Sequence, residues 1–399
     1  MQPPPEDTNT TLDQALAYIE AELAGCDLGA MVLKLKKRFP SATQEVLALA
    51  AEIAASRPQA AEKLGAWAAS GFISRAVLEQ SSRSAVATWR ASLFSGCSHV
   101  LEIGTGSGCD TAALARVSQH VTTVESDPAT SELARRNLEV LGLSNVTFLV
   151  GSAQDIVPAA LSSCDALFAD PARRRRDGER VKDAEDYSPP LSWILSLALP
   201  RLCAIKVSPG LFVEPCPDGW TRQFVGVGSE CLEQTLWRGA PIADSSVVLP
   251  DCGAQWSPPV IRQPAELASE LRGSLLEAHA VVNRSQFLSC FLAQHGARLV
   301  DEDVAYGVAE SLPAASPFLA RFRILEEFPF QPKQLKTRLK QRGWTNRTEF
   351  KKRSMQLDPE EVRREMRLPE HSHDAPFGVV FLFPWRGKPW SVLAERLCD

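Results

Sequence analysis

An acidic residue, three spaced glycines and a second acidic residue form the most informative segment of the chain, residues 99–127. Glu102 lies in a short apolar run, and a second apolar run ends in Glu125. Between the two acids lie the glycines Gly104, Gly106 and Gly108. Glycine lets a backbone approach a ligand closely because it has no Cβ to collide with it. A carboxylate at the end of the second run can accept hydrogen bonds from both hydroxyls of a ribose, so these residues predict a nucleotide-like ligand.

The spacing of the glycines narrows the choice of ligand. Pyrophosphate-binding turns have the pattern Gly-x-Gly-x-x-Gly, whereas this turn has the pattern Gly-x-Gly-x-Gly. Glu102 adds a negative charge that would repel a pyrophosphate but would suit an amino-acid ammonium or an ordered water. S-adenosylmethionine has a ribose, an adenine and a methionine tail but no phosphate, and we therefore expect it as the cofactor. The alternative is a tight turn in another kind of α/β protein, and the pairing of Glu102 with Glu125 argues against it.

Two later apolar segments carry side chains that could act on a substrate. Residues 166–169 are followed directly by Asp170, and residues 202–207 contain Lys206. Ligands of open parallel sheets bind at the carboxyl ends of the strands. We therefore expect Asp170 to accept a hydrogen bond from a nucleophilic amine or hydroxyl, and Lys206 to reach the same edge. The alternative for Asp170 is a helix N-cap, with Pro171 at the first helical position.

Residues near Asp170 are candidates for contact with the substrate. Four consecutive arginines at 173–176 could neutralise substrate phosphates, or could be an ordinary solvated run. Tyr187 begins a Tyr-Ser-Pro-Pro segment that could present a stacking ring or could only form a turn. The expected substrate-binding residues are Pro171, Arg173, Arg174, Tyr187 and Ser208.

The pattern of apolar residues predicts the elements that position these side chains. Residues 1–84 read as helices, and residues 85–255 alternate strands and helices as in a doubly wound, mostly parallel sheet. Its strands are expected at 100–103, 121–125, 146–150, 166–169 and 202–207, followed by an antiparallel extension at 223–227, 233–237 and 245–249. Residues 256–315 are expected to form a helical connector, with helices near 266–277 and 284–294. Residues 316–399 read as a small α+β module, with strands expected at 322–327, 348–351, 377–383 and 390–393 and helices at 334–342 and 359–366.

Composition limits the class of protein. The 399 residues suggest two to three domains. The longest apolar stretch, residues 193–205, is interrupted by Pro200 and Arg201 and is too short to cross a bilayer. The first residues show no secretory signal, so we expect a cytoplasmic protein without membrane contact. The ten cysteines include no Cys-x-x-Cys pair and the six histidines form no cluster, which favours free thiols and no metal site.

The net charge of −5 conceals a basic segment at residues 321–353, which holds eleven basic and three acidic residues. A solvated helix face is one explanation. A nucleic-acid surface is the other, because aromatic residues are interleaved with the basic ones. These aromatic residues are Phe322, Phe328, Phe330, Trp344 and Phe350.

Several segments together resemble bacterial class I S-adenosylmethionine-dependent methyltransferases that carry a C-terminal THUMP-like domain. These segments are ISRAVLEQSS, LEIGTGSGCDTAALA, ADPARR, VKDAEDYSPPL, IKVSPG and the tail from FRILEEFPF to EEVRREM. The resemblance covers most of the chain after residue 70, and the combination of DPARR with YSPPL is its most specific part. It implies a class I, Rossmann-like fold, S-adenosylmethionine as methyl donor, and a structured RNA, tRNA or rRNA, as substrate.

The resemblance also implies roles for individual residues. The methionine side of the cofactor is expected at Glu102, Gly104, Thr105, Gly106 and Gly108. Glu125 is expected to hold the ribose. Ser152 and Ala153 match the adenine-side positions after the third strand, although many relatives have an acid where Ser152 stands.

The target atom stays open at this point. Enzymes that methylate exocyclic base amines carry the motif Asp/Asn-Pro-Pro followed by an aromatic residue. In this chain Ala172 and Arg173 replace the second proline and the aromatic residue. Uracil C5 enzymes need a thiolate after the fifth strand, and no cysteine follows Ser208 there. Ribose methylation would use Asp170 and Lys206 with Glu230 or Glu233, but an upstream lysine is not evident. The alternatives to an RNA methyltransferase are a methyltransferase of a protein or small metabolite, and a non-catalytic RNA-binding protein.

Overall fold

The computed structural model describes residues 8–173, 183–211, 216–373 and 375–397. The chain divides into two compact units, the first formed by Met1–Trp220 and Thr235–Pro241, the second by Thr221–Gln234 and Ile242–Asp399. This division differs from the boundaries expected near residues 84, 255 and 315. It passes through a single strand, Glu230–Arg238, whose two ends belong to different units.

The first unit begins with the expected helices. They are α1 Thr8–Glu22, α2 Leu28–Arg38, α3 Gln44–Leu64, α4 Arg75–Gln80 and α5 Ser84–Ser92. Side chains spaced one helical turn apart, such as Leu12, Leu16 and Ile19 in α1, are buried in a shared core with α3. Asp27 caps α2 by accepting a hydrogen bond from the Ala30 N–H at 2.9 Å.

Alternating strands and helices follow in the first unit, and all five predicted parallel strands are confirmed within one residue. They are β1 His99–Ile103, β2 His120–Glu125, β3 Val146–Val150, β4 Ala166–Ala169 and β5 Leu202–Val207. Their helices are α6 Cys109–Ala115, α7 Pro128–Val140, α8 Ala153–Ala160 and α9 Leu191–Ser196. The strands pair in parallel in the order β3-β2-β1-β4-β5, so β1 and β4 are central and buried.

The strands after β5 correct one prediction. They are β6 Trp220–Val227, β7 Glu230–Arg238, β8 Ser246–Leu249 and β9 Ala254–Trp256, in the sheet order β7-β6-β8-β9. The expected antiparallel extension is wrong for β6 and β8, which pair in parallel, while β8 and β9 are antiparallel. The connection after β7 returns the chain to the start of β6, where Asp244 accepts a hydrogen bond from the Arg222 N–H at 2.9 Å.

The expected helical connector at 256–315 is also largely wrong. It contains three strands, β10 Ser274–Ala278, β11 Arg298–Asp301 and β12 Val304–Ala309, and two short helices, α10 Ala280–Arg284 and α11 Leu288–Gln294. Residues 274–278 form a strand because their apolar side chains are buried between β12 and a later strand. Gly273 has a φ of +79°, and a Cβ there would lie 2.4 Å from the Ala309 oxygen.

The C-terminal module confirms each predicted element. It comprises β13 Leu319–Pro329, α12 Pro332–Gln341, β14 Glu349–Lys352, α13 Pro359–Met366, β15 Val379–Trp385 and β16 Lys388–Leu397. With the preceding strands it forms a sheet in the order β11-β12-β10-β13-β16-β15-β14. Strand β15 is buried on both faces: Phe381 and Phe383 enter one core, and Val380 and Leu382 enter the core beneath α12 and α13.

Three general features concern the described part of the chain. No helix there is long and apolar enough to cross a membrane. No group of three or more histidines, cysteines or acids is arranged to hold a metal ion within the described ranges. The cysteines in these ranges are free thiols, and several are buried.

Candidate functional site

The glycine turn connects β1 to α6 at the carboxyl edge of the first sheet. Gly104 has a φ of +91°, and a Cβ there would lie 2.5 Å from the backbone oxygen of Asp170. Gly106 has a φ of +53°, and a Cβ built on it meets no atom within 4 Å. The turn therefore needs glycine both for its left-handed backbone and for its close approach to β4, and it leaves open space beside Gly106.

Glu125 lies beside this turn, at the end of β2. Its Oε2 accepts a hydrogen bond from the Gly106 N–H at 3.2 Å, and its Oε1 accepts one from the Asp127 N–H at 3.1 Å. The carboxylate remains partly exposed. The hydroxyl of Thr105, in contrast, is buried and paired with the Thr123 hydroxyl at 2.6 Å, so this side chain fixes the turn rather than facing outward.

Glu102 is fully buried beneath the turn. Its Oε2 accepts a hydrogen bond from the Thr111 hydroxyl, whereas its Oε1 has no partner among the described residues. Burial raises the pKa of Glu102 from 4.5 to about 8, and the nearby charges of Asp110 and Asp170 add to the shift. An unpartnered buried oxygen is costly unless a water or a ligand satisfies it. Together with the open space at Gly106, this oxygen fits a nucleoside cofactor with an amino-acid tail.

The raised pKa of Glu102 gives a testable stability profile. The folded protein binds one more proton than the unfolded chain between pH 4.5 and about 8. The stability contributed by this group is therefore complete below pH 4.5 and lost as the pH rises toward 8. Glu102→Gln mimics the protonated form, so its advantage in free energy of unfolding should grow with pH to roughly 2–4 kcal/mol near pH 8. Urea unfolding at pH 5 and pH 8 measures it.

Glu139→Gln, at an exposed position of α7, serves as the control and should show no such trend. A difference between wild type and Glu102→Gln that stays constant from pH 5 to pH 8 would contradict the assignment.

The two adenine-side candidates follow β3. Ser152 is exposed, and its hydroxyl donates to the Gln154 side-chain oxygen at 3.0 Å. Ala153 is buried in the core of the first unit. The Ala153 side chain is therefore not available to a ligand.

Asp170 and Lys206 meet as predicted, at the ends of β4 and β5. The Lys206 Nζ donates to Asp170 Oδ2 at 2.7 Å, and the two side chains are 5% and 21% exposed, respectively. Burial alone would raise the pKa of Asp170, but the charges of Lys206 and Arg173 outweigh it and hold that pKa below its usual value. Asp170 is therefore an ionised carboxylate at neutral pH. It accepts from Lys206 instead of capping a helix, and no helix begins before Arg173, where this described range ends.

Sequence reasoning missed three polar side chains around this pair. Ser82 receives a hydrogen bond from Lys206 Nζ at 3.1 Å and donates one to Asp110 Oδ2 at 2.8 Å. Asp110 is ion-paired with Arg90. Ser82 ends the segment ISRAVLEQSS on which the resemblance rests, but that segment assigns no polar role to it, and both Ser82 and Arg90 precede the strands that carry Asp170 and Lys206. Asp110, two residues after the glycine turn, is the one that could have been found.

The predicted substrate-binding residues differ in how far they are buried. The stacking role of Tyr187 is wrong, because its ring is only 2% exposed and packs in the sheet core. Its hydroxyl accepts a hydrogen bond from the Ser208 N–H at 3.3 Å, which joins the loops after β4 and β5. Pro171 is buried, whereas Arg173 and Ser208 are half-buried. Arg174 lies outside the described residues.

The basic segment of the second unit divides into paired and unpaired charges. Arg338 and Arg342 bind Glu326, while Lys351 and Arg353 bind Glu277. On α12, Lys333 and Lys340 are exposed, and Lys336 Nζ donates to the backbone oxygen of Glu365 at 3.2 Å. These three lysines share one helix face. Of the interleaved aromatics, Phe322, Phe328 and Trp344 are buried in the sheet cores and are not available to stack on bases, whereas Phe330 and Phe350 are half-buried.

Comparison with known families assigns two parts of the chain. Residues 100–176, which include the glycine turn and Asp170, match the family described as methyltransferase domain. Residues 319–396 match the family described as THUMP domain-like. The second match coincides with β13 to β16.

Individual relatives agree with this assignment over different lengths. A solved structure from Porphyromonas gingivalis W83, provisionally named a methyltransferase, covers 97% of this chain and 99% of its own, with a TM-score of 0.75 and 19% identity, a likeness of fold alone. Protein-L-isoaspartate O-methyltransferases from Magnetococcus marinus and Ignicoccus hospitalis are 55% and 40% identical over 53 and 79 residues. Those segments are 13% and 19% of this chain and only 23% and 37% of the two relatives.

Proposed function

Because the chain carries an S-adenosylmethionine-dependent methyltransferase domain followed by a THUMP-like domain, we propose that it methylates a structured RNA, tRNA or rRNA. The observation that carries methyl transfer is the Asp170–Lys206 pair, which lies beside the glycine turn. The observation that favours RNA is the lysine face of α12 within the THUMP-like domain.

The proposed cofactor contacts follow the geometry of the turn. Glu125 would hold the ribose hydroxyls while keeping its bond to the Gly106 N–H. The backbone at Ser152 and Ala153 would meet the adenine. The unpartnered Glu102 oxygen would meet the methionine ammonium, directly or through a water. When bound, S-adenosylmethionine supplies an electrophilic methyl group.

Asp170 is the proposed catalytic residue. Its ionised carboxylate can accept a hydrogen bond from the N–H or O–H of an incoming nucleophile and so orient the attacking lone pair. It also stabilises the positive charge that develops on the nucleophile as the new bond forms. Lys206 holds the carboxylate in place and ionised. Arg173, three residues after Asp170, would pair with a substrate phosphate.

Lys63 is an upstream lysine that could be considered for ribose methylation. Burial lowers the pKa of Lys63 to about 8, and the charges of Lys206 and Arg83 contribute. However, the Lys63 ammonium donates to the backbone oxygen of Leu78 at 2.6 Å, so it is held by α4. It does not complete the lysine set of ribose methylation.

A second candidate function is methylation of a protein carboxylate. It is favoured by the short segments of 40% and 55% identity to protein-L-isoaspartate O-methyltransferases. These segments cover less than a fifth of the chain. They bear on the methyltransferase domain and leave the THUMP-like domain unexplained.

RNA binding by the lysine face of α12 should depend strongly on salt. Each neutralised phosphate contributes about −0.7 to −0.9 to the slope of log K against log salt concentration. The triple variant Lys333→Gln, Lys336→Gln, Lys340→Gln should therefore flatten that slope by roughly two to three. Fluorescence anisotropy with a labelled tRNA at several salt concentrations measures the change.

A matched control removes Lys34, Lys36 and Lys37 from the exposed side of α2 in the first unit. This second triple variant should retain the slope of the wild type. Salt-independent binding, or an equal change in both variants, would contradict the proposed RNA surface and favour the protein substrate.

A further inference from the structure

The Lys206 ammonium is held from two sides. Asp170 accepts from it at 2.7 Å, and Ser82 accepts from it at 3.1 Å. We propose that Ser82, itself fixed by Asp110 and Arg90, is a positioning residue that aims Lys206 at the Asp170 carboxylate. This inference rests on the proposed function, in which Asp170 contacts the nucleophile.

The hydrogen bonds around Ser82 leave its hydroxyl one orientation. A hydroxyl has one donor hydrogen and two acceptor lone pairs. The hydrogen goes to Asp110 Oδ2 at 2.8 Å, and the acceptor side meets Lys206 Nζ and, at 3.5 Å, Arg90 Nη2. Because Asp110 is also ion-paired with Arg90, the hydroxyl cannot rotate without breaking a buried polar contact. The Ser82 Oγ lone pair that accepts from Lys206 is therefore held in a fixed direction.

The residues of this network come from separate elements and are buried. Ser82 and Arg90 are 6% and 2% exposed. Arg90, on α5, also lies over the ring of Phe168 in β4, with 4.7 Å between its guanidinium carbon and the ring centre. Asp110 is in the first turn of α6, two residues beyond Gly108. The network thus links the N-terminal helical region and the glycine turn to the two strands that carry Asp170 and Lys206.

A hydroxyl with only a packing role would not influence the charge on Asp170. Within the described ranges, the charged and titratable groups that interact with Asp170 include Lys206 from β5, Arg173 from its own loop, Arg90 from α5, Glu102 from β1 and Tyr187 from the following loop. Of these, Lys206 has the strongest lowering effect on the pKa of Asp170. If Ser82 aims Lys206, its removal lets the ammonium move away, and the pKa of Asp170 rises.

The first test follows activity. The assay is single-turnover methyl transfer from radiolabelled S-adenosylmethionine to total RNA of a strain lacking the gene. Ser82→Ala should lower the rate about tenfold and shift its acid limb upward by ~0.5–1 pH unit, with affinity for S-adenosylhomocysteine within about threefold. Ser82→Thr, which keeps a hydroxyl, should recover most of the rate. Ser92→Ala removes an exposed hydroxyl that donates to the Trp89 backbone oxygen within α5, and it should match wild type.

The second test does not require an RNA substrate. Selective ¹³Cγ labelling of aspartate lets NMR follow the ionisation of Asp170 with pH, and Asp170→Asn assigns its signal. Ser82→Ala should raise the pKa of Asp170, whereas Ser92→Ala should leave it unchanged. If Ser82→Ala does not fold, Ser82→Cys keeps the size of the side chain with a weaker hydrogen bond and takes its place in both tests.

The outcomes separate the two proposals. A wild type that methylates no RNA refutes the proposed function, and the NMR titration then decides the role of Ser82 alone. An unchanged Asp170 titration in Ser82→Ala overturns the positioning role, as does an unchanged methyl-transfer rate. A raised Asp170 pKa, with rescue of that pKa by Ser82→Thr, supports it.

Discussion

Replacing Asp170 with asparagine is expected to slow single-turnover methyl transfer by at least about tenfold, and by as much as ~10²–10⁴-fold. The carboxylate is the only member of the Asp170–Lys206 pair that can accept a hydrogen bond from a nucleophile, and asparagine removes its negative charge. The side-chain amide oxygen can still accept from Lys206, which limits the loss of stability. Affinity for S-adenosylhomocysteine should change less than about threefold, because the glycine turn and Glu125 are untouched.

Rapid-quench transfer assays and calorimetry measure the two quantities on the same preparation. Asp218→Asn, at an exposed position in the first unit, is the matched control and should behave as wild type. A normal rate in Asp170→Asn would remove Asp170 from the chemistry and leave Lys206 as the catalytic candidate at this edge. A variant that loses cofactor binding together with its rate would instead make Asp170 a structural residue.

Glu125→Ala is expected to weaken cofactor binding by roughly 1–3 kcal/mol, or about 5- to 150-fold. The carboxylate would bind the ribose and already accepts from the Gly106 N–H, so its loss removes ligand contacts and loosens the turn. Glu125→Gln keeps one acceptor oxygen and should fall between the alanine variant and wild type. Calorimetry with S-adenosylmethionine and S-adenosylhomocysteine measures the affinities.

Glu139→Ala, at an exposed position of α7, controls for the loss of a negative charge. Equal affinity in Glu125→Ala and wild type would show that the ribose binds elsewhere. Absence of binding to either ligand at millimolar concentration in the wild type would exclude the cofactor assignment altogether. Binding of a nicotinamide dinucleotide instead would favour a dehydrogenase.

The sequence predicted the cofactor side of the site well because its signals are local. The five parallel strands are mostly apolar runs bounded by turns, and four of them are largely buried, the exception being the edge strand β3. Topology then places Asp170 and Lys206 together, since consecutive carboxyl ends of parallel strands meet at one edge. The C-terminal helices α12 and α13 were also predicted, at 334–342 and 359–366, and in the structure each has proline at its first position.

The failures arose where distant contacts decide the structure. Residues 266–277 have a helical pattern, but residues 274–278 form strand β10, which pairs with strands β12 and β13. The Tyr-Ser-Pro-Pro segment could have presented a stacking ring or formed only a turn. In the structure, the Tyr187 ring is buried in the sheet core. Phe322 and Phe328 of the basic segment lie in strand β13, and each is buried in a core of the second sheet. Ser82 is 124 residues away from Lys206, and no local pattern reveals such a pair.

The most direct measurement is mass spectrometry of nucleosides from purified tRNA and rRNA of cells with the gene, without it, and complemented with the Asp170→Asn variant. We predict that one methylated nucleoside is present in cells with the gene, disappears when the gene is deleted and stays absent with Asp170→Asn. The same data would identify the methylated atom. An identical set of methylated nucleosides in all three strains would contradict RNA methylation by this protein.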